Sequence, residues 1–174
     1  MKTILLLRHA KSDWGNPSLV DFDRPLAPRG LKDAPRMGAI LARAEHTPDL
    51  ILSSPAKRAR QTSELIAEAC GYQQPIHWEA DFYDDGSDAL IAALQRLPQH
   101  IERPLLVGHN PVLEETVAGL LGYDANGWSE SWPIHIPTAG LVCLEVDLEA
   151  WADLEPGDAS LHWFLIPKLV KAIT

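Results

Sequence analysis

Three short apolar runs each stop abruptly at a cluster of polar residues, and this punctuation constrains the fold more than any other feature of the chain. Ile4-Leu5-Leu6-Leu7 runs into Arg8-His9-Ala10-Lys11-Ser12, Asp49-Leu50-Ile51-Leu52 into Ser53-Ser54-Pro55-Ala56-Lys57-Arg58, and Pro104-Leu105-Leu106-Val107 into Gly108-His109-Asn110-Pro111. A continuous apolar run of this length suits a strand buried on both faces of a parallel sheet. Residues 75–78, 140–146 and 161–166 are further strand candidates. Between the runs, the spacing of apolar residues predicts helices over 31–44, 56–70, 87–97 and 111–121. Pro35 would fall in the first turn of its helix, Gly71 would end the second helix, and Ser87 would cap the third. Asn110 would cap the fourth, with Pro111 at its first position and Gly122 past its end. Strands alternating with helices predict a three-layer α/β/α sandwich around a mainly parallel central sheet.

The chain's 174 residues fit one domain spanning 1–174. The net charge of −9 removes any gain from counterion release on nucleic acid and any attraction to anionic membranes. Neither nucleic acid nor membrane is therefore an expected partner. The two cysteines, Cys70 and Cys143, form no CxxC pair and read as buried small hydrophobes compatible with a reducing compartment. The apolar run at residues 4–7 is too short for a secretory signal and no stretch is long enough to span a membrane, so a cytoplasmic location is expected. Nothing in the sequence demands a dimer, and a monomer is expected.

Ligands of open α/β sheets bind beyond the carboxyl ends of the strands. If the three punctuated strands are parallel neighbours, Arg8, His9, Arg58 and His109 converge in one crevice. Two guanidinium groups and two imidazoles repel one another, an arrangement that makes sense around a multiply charged anion. Arginine matches phosphate oxygens bidentately. A neutral imidazole can attack phosphorus, and an imidazolium can donate a proton. Taken singly, each residue has an ordinary reading: a polar strand end for Arg8-His9, a solvated helical face for Lys57-Arg58-Ala59-Arg60, a cap or core histidine for His109. Their shared placement at strand ends points to a phosphate cradle with a nitrogen nucleophile.

The same residues carry a family resemblance. Leu7-Arg8-His9-Ala10-Lys11-Ser12 resembles the signature of the histidine phosphatase superfamily, which includes phosphoglycerate mutases. Residues 53–62, a serine-proline followed by Arg58-Ala59 and Gln61-Thr62, are similar to that family's second block, and Val107-Gly108-His109-Asn110-Pro111 to its second-histidine block. Arg24-Pro25-Leu26 with Gly30, and the tail 163–169, resemble SixA-type members. The resemblance implies a phosphoglycerate-mutase-like fold with His9 as the phosphorylated nucleophile. It implies Arg8 and Arg58 on the phosphoryl oxygens, His109 as an electrostatic stabiliser, and no metal or cofactor. Ala10 replaces the commoner glycine. Gly15 stands where many relatives carry asparagine, with Asn16 one position off. Ser12 occupies a serine or threonine position and is expected to contribute a hydroxyl to phosphate binding.

An alkoxide leaving group needs a general acid. Many family members supply one after the third strand, which makes Asp81 the expected acid here and Glu79 the alternative; both could equally be surface charges on an acidic loop. A chain this short has no room for a large lid, and an open site would admit a phosphorylated side chain of another protein. With the resemblance to SixA-type members, this implies phosphohistidine on a signalling or phosphotransfer protein as the substrate. Small phosphate monoesters such as sugar phosphates are the alternative, with Trp128, Trp132 and His135 of the 122–139 loop shaping the pocket or simply packing that loop. A non-catalytic phosphate-binding module is a third reading, disfavoured by the presence of both histidines.

Overall fold

The computed structural model describes residues 1–123 and 134–173. Trp128 and Trp132 lie outside the described residues.

The apolar runs form a six-stranded sheet made of β1 (Lys2–Arg8), β2 (Leu50–Ser53), β3 (His77–Trp78), β4 (Pro104–Gly108), β5 (Leu141–Val146) and β6 (Ala159–Leu165), in the order β3-β2-β4-β1-β5-β6. The pairings from β3 through β1 are parallel, while β5 runs antiparallel to both of its neighbours. Alternation of side chains sends Leu5, Leu7, Ile51, Leu105 and Val107 to one face and Ile4, Leu6, Leu52 and Leu106 to the other. Both faces are covered, which is why these strands are apolar throughout rather than alternating.

One face carries α1 (Pro28–Arg43), α2 (Lys57–Cys70) and α6 (Pro167–Ile173), through Met37, Leu41, Ile66 and Val170. The other carries α3 (Asp81–Asp84), α4 (Ser87–Gln95) and α5 (Val112–Leu120), through Phe82, Leu90, Leu94, Leu113 and Val117, with Trp151 alongside. The architecture is the three-layer α/β sandwich. β1 and β2 send the chain to the first face, whereas β4, lying between them, sends it to the second. That reversal opens a crevice beyond the carboxyl ends of these three strands, and topology alone thereby locates a ligand site.

Several helix boundaries differ from expectation. α1 starts at Pro28, whose fixed φ suits a first helical position, so Pro35 lies inside the helix rather than in its first turn. Pro35 cannot bond the Leu31 carbonyl, and the helix tolerates this where Leu31 is exposed to water. Ser87 does not cap α4: Gly86 holds the cap position and no side chain bonds there. Pro111, not Asn110, precedes the first residue of α5. The Asn110 amide instead donates to Glu114 Oε1 at 2.6 Å and to the Ile136 carbonyl at 2.9 Å, tying α5 to the segment that leads into β5. Gly71 ends α2 in the left-handed conformation at φ 77°. Both cysteines are free and buried.

Candidate active site

Register brings the three strand ends side by side. Arg8 pairs with Gly108 and Ser53 with Val107, and the ladder continues one residue further through His9 N–H to the Gly108 carbonyl (3.0 Å) and Ser54 N–H to the Val107 carbonyl (2.9 Å). His9, Ser54 and His109 therefore emerge at one level. They open onto a cavity of about 300 Å³ that Arg8, His9, Ser12, Arg24, Arg58 and His109 line.

His9 is fixed by its own neighbour. Its Nδ1 lies 2.8 Å from the Ala10 carbonyl, which assigns the proton to Nδ1 and leaves Nε2 with a free lone pair. That lone pair accepts from Arg58 Nε at 3.3 Å. The Ala10 carbonyl is itself held in place, because Ala10 N–H donates to Thr62 Oγ1 (3.0 Å) and Thr62 Oγ1 donates to the Arg58 carbonyl (2.7 Å). One threonine thus couples the residue that orients the His9 ring to the first turn of α2. Burial, with His109, Arg58 and Arg8 adding repulsion against the Ala10 bond, lowers the His9 pKa to about 3. The ring is neutral at physiological pH.

His109 sits 5.1 Å from His9, centroid to centroid, with the rings tilted by 53°. Its Nδ1 accepts from Arg58 Nη2 at 3.3 Å, so its Nε2 carries the proton and donates to Ser54 Oγ at 2.8 Å. Burial first, then the charge of Arg58, lowers its pKa to about 4. Arg58, buried in the first turn of α2, bridges both rings. Arg8 donates to the Ile136 carbonyl at 2.9 Å, and its Nε is buried without a partner among the described residues. A tetrahedral oxyanion offers acceptors for such a donor.

Two contributors gave no signal in the sequence pattern. Asp21 stands on a 3₁₀ turn (Asp21–Asp23) of the long loop after β1. Its carboxylate ion-pairs with Arg24 and, at 2.9 Å, with Arg58, while its carbonyl accepts from Arg58 Nη1 at 2.7 Å. Burial alone would raise the Asp21 pKa, but donation from Tyr83, the Arg58 charge and bonds from Arg58 and Arg24 hold it below its ordinary value. Tyr83, on α3, donates to Asp21 Oδ2 at 3.0 Å and sets its ring edge-on to His109 at 5.7 Å. Arg24 stacks on the Trp14 ring, 3.4 Å from its centroid.

The remaining predicted residues fall as follows. Ser12 is buried on the cavity wall and accepts from Arg24 Nη1 at 3.4 Å. Asp81 is exposed at the start of α3 and lines a separate groove with Asp85, Ser87 and Asp88. Glu79 lines a third depression beside Leu52 and His77. The segment after β3 therefore supplies a phenol to the site rather than a carboxylate. His135 is 79% exposed and lies 3.1 Å from Glu114. Among the described residues no group of three or more His, Cys, Asp or Glu is placed to hold a metal ion.

The model of the histidine phosphatase superfamily (branch 1) matches residues 4–84. A solved structure from Agrobacterium tumefaciens, assigned as the phosphohistidine phosphatase SixA, is 31% identical, superposes with a TM-score of 0.78, and is matched over 95% of this chain and 98% of that one. This chain belongs to the histidine phosphatase superfamily. Within the superfamily it is SixA-type, and its fold is phosphoglycerate-mutase-like. A second relative of this superfamily member, an uncharacterized protein of Mycobacterium tuberculosis, is 35% identical over 165 residues, which is 93% of this chain and the whole of that protein. A SixA structure complexed with tungstate shares the fold at a TM-score of 0.79 and 20% identity, covering 97% of this chain and 99% of that one. Membership of the superfamily supports phosphatase chemistry at the cavity. No helix among the described residues is long and apolar enough to cross a membrane.

Proposed function

We propose that this protein removes the phosphoryl group from phosphohistidine on another protein, through an intermediate carried on His9. The observation that carries this reading is the state of Asp21, the one carboxylate among the described residues that is bonded to the arginines of the cradle. Asp21 is held ionised by Arg58, Arg24 and Tyr83, so it has no proton to give to a departing alkoxide. Neither Asp81 nor Glu79 lines the cavity. An imidazole leaves phosphorus far more readily than an alkoxide does, and a phosphoramidate substrate fits a site without a protonated carboxylate.

In the first step His9 Nε2 attacks phosphorus in line, and the bond from phosphorus to the substrate imidazole breaks. The departing nitrogen takes a proton from water. Arg8 and Arg58 neutralise the charge that spreads over the equatorial oxygens, and a phosphoryl oxygen competes with Ser54 Oγ for the proton on His109 Nε2. Water then attacks the phosphohistidine, releasing inorganic phosphate and restoring neutral His9. The Nδ1–H bond to Ala10 keeps the ring facing phosphorus through both steps.

A second reading, hydrolysis of small phosphate monoesters, is favoured by the exposed Trp14 stacked on Arg24 at the cavity mouth, a surface against which a small organic group could pack. Turnover of a phosphohistidine protein measured beside a panel of phosphate esters separates the two. The shared intermediate is tested with a labelled phosphodonor, an alkaline quench and mapping of the acid-labile label. Label on His9 is expected, and a fully active His9→Ala variant overturns the proposal.

A further inference from the structure

On the face that carries α1 and α6, a groove of about 520 Å³ runs between the two helices, lined by Arg29, Lys32, Arg36, Lys168 and Lys171. These are five of the 15 lysines and arginines in a chain whose net charge is −9. The single acid on the groove wall, Asp33, is buried and already shared between Arg29 at 3.2 Å and Arg36 at 3.3 Å. Lys32, Lys168 and Lys171 are exposed and make no ion pair among the described residues. An acidic protein that concentrates a third of its cations in one concavity creates a local field opposite to its overall one.

The groove begins on the helix that is bonded to the wall of the catalytic cavity. Lys11, on the cavity wall, is stitched to the start of α1 by a 2.8 Å bond from Ala27 N–H to its carbonyl, and α1 presses so closely that a Cβ on Gly30 would lie 2.3 Å from the same oxygen. Pro28 and Arg29, the first residues of that helix, begin the groove. A chain entering the cavity at Lys11 can therefore continue across α1 towards α6.

We infer that this groove docks an acidic segment of the phosphorylated protein, alongside the residue whose phosphoryl group His9 receives. The inference rests on the protein-substrate reading above and supplies that reading with a recognition element. A concave site between two helices receives carboxylate side chains from a polypeptide, whereas a flat bilayer surface meets only its rims. Charge recognition of this kind governs encounter and discrimination between partners, and it weakens with salt.

The test uses two synthetic peptides sharing one phosphohistidine core, one with glutamate and aspartate flanks and the other with glutamine and asparagine. The wild-type protein should show a kcat/KM about tenfold higher for the acidic peptide at low ionic strength, and 0.5 M salt, roughly a 4 Å screening length, should erase the difference. The triple variant Lys32→Glu, Lys168→Glu, Lys171→Glu should lose the preference while hydrolysing p-nitrophenyl phosphate as the wild type does, which also reports that it folds. Measurable but equal turnover of the two peptides by the wild type, or a preference that survives in the triple variant, overturns the inference. Fluorescence anisotropy with the same peptides carrying plain histidine keeps the groove separable from the chemistry. Charge-selective binding lost in the triple variant supports the groove even if neither phosphohistidine peptide turns over, a result that would sink only the substrate reading. Sedimentation with phosphatidylserine vesicles that is lost in the triple variant, without peptide selectivity, would assign the groove to a membrane and overturn peptide docking.

Discussion

The carboxylate of Asp21 lies 2.9 Å from Arg58 Nη2, and the Asp21 carbonyl takes the other arm of the same guanidinium at 2.7 Å. The fork that faces both imidazoles is thus engaged by the chain's own anion. A phosphoryl group that binds Arg58 must share or displace this carboxylate. Removing its charge should therefore tighten oxyanion binding. The carboxylate is about half exposed, so screening limits the effect to about 1 kcal/mol. Asp21→Asn should lower the tungstate inhibition constant roughly fivefold. Calorimetric titration with tungstate checks this. Weaker binding in the variant would mean instead that Asp21 chiefly holds Arg58 in position.

The two imidazoles set the pH behaviour of both activity and stability. Each has an ordinary pKa of 6.5, and in the folded protein His9 falls to about 3 and His109 to about 4. Between those values and 6.5 the unfolded chain binds protons that the folded chain does not. Stability therefore declines as pH drops below about 6.5, at up to about 1.4 kcal/mol per pH unit for each group, and the pair adds no slope above pH ~7.5. Chemical denaturation across pH 4–8 measures this, and His9→Asn should flatten the acid limb. The kcat/KM profile of the free enzyme should likewise show no imidazole ionisation near 6.5. A limb centred there would contradict a buried, neutral nucleophile.

What could be read from the chain, and what could not, divides along a physical line. Strands β1, β2 and β4 are short apolar runs because both sheet faces are covered, and their ends are marked by charge; the convergence of Arg8, His9, Arg58 and His109 follows from parallel pairing alone. Asp21 and Tyr83 reach the site from a 3₁₀ turn and a four-residue helix, which carry no periodic pattern. Their place is set by where Arg58 and His109 already stand, a tertiary fact. Asn110 illustrates the same limit: its sequence context is that of a helix cap, but the Ile136 carbonyl and Glu114 compete for its amide and win. Asp81 follows the strand at the expected point, yet the short helix it opens turns Tyr83, not the carboxylate, towards His109.

Thr62 should matter more to catalysis than its distance from phosphorus suggests. Its hydroxyl is the acceptor for Ala10 N–H, and Ala10 in turn orients His9. Thr62→Val keeps the shape and leaves a buried N–H unsatisfied, at a cost of about 1–3 kcal/mol. With Ala10 free to shift, His9 loses its fixed ring orientation, and kcat should fall by roughly 10- to 100-fold with little change in KM. Thr62→Ser, which restores the hydroxyl, should recover most of the rate. Steady-state kinetics of the two variants, with thermal unfolding beside them, check the assignment.

Two glycines of α1 allow packing strain to be separated from damage to the site. A Cβ on Gly38 would stand 2.7 Å from Ala69 Cβ and 2.8 Å from the Ile66 carbonyl, at the contact of α1 with α2. A Cβ on Gly30 would stand 2.3 Å from the Lys11 carbonyl, on the segment that continues from His9. Both positions have ordinary helical backbone, so alanine is penalised by space and not by φ. Overpacking of this kind costs about 1–3 kcal/mol. Both Gly30→Ala and Gly38→Ala should therefore lower the melting temperature. Only Gly30→Ala should also reduce kcat/KM, because relief of its clash moves Lys11 and with it the Ala10 carbonyl that holds the nucleophile. Equal losses of activity at equal losses of stability would show that the start of α1 does not govern the cavity.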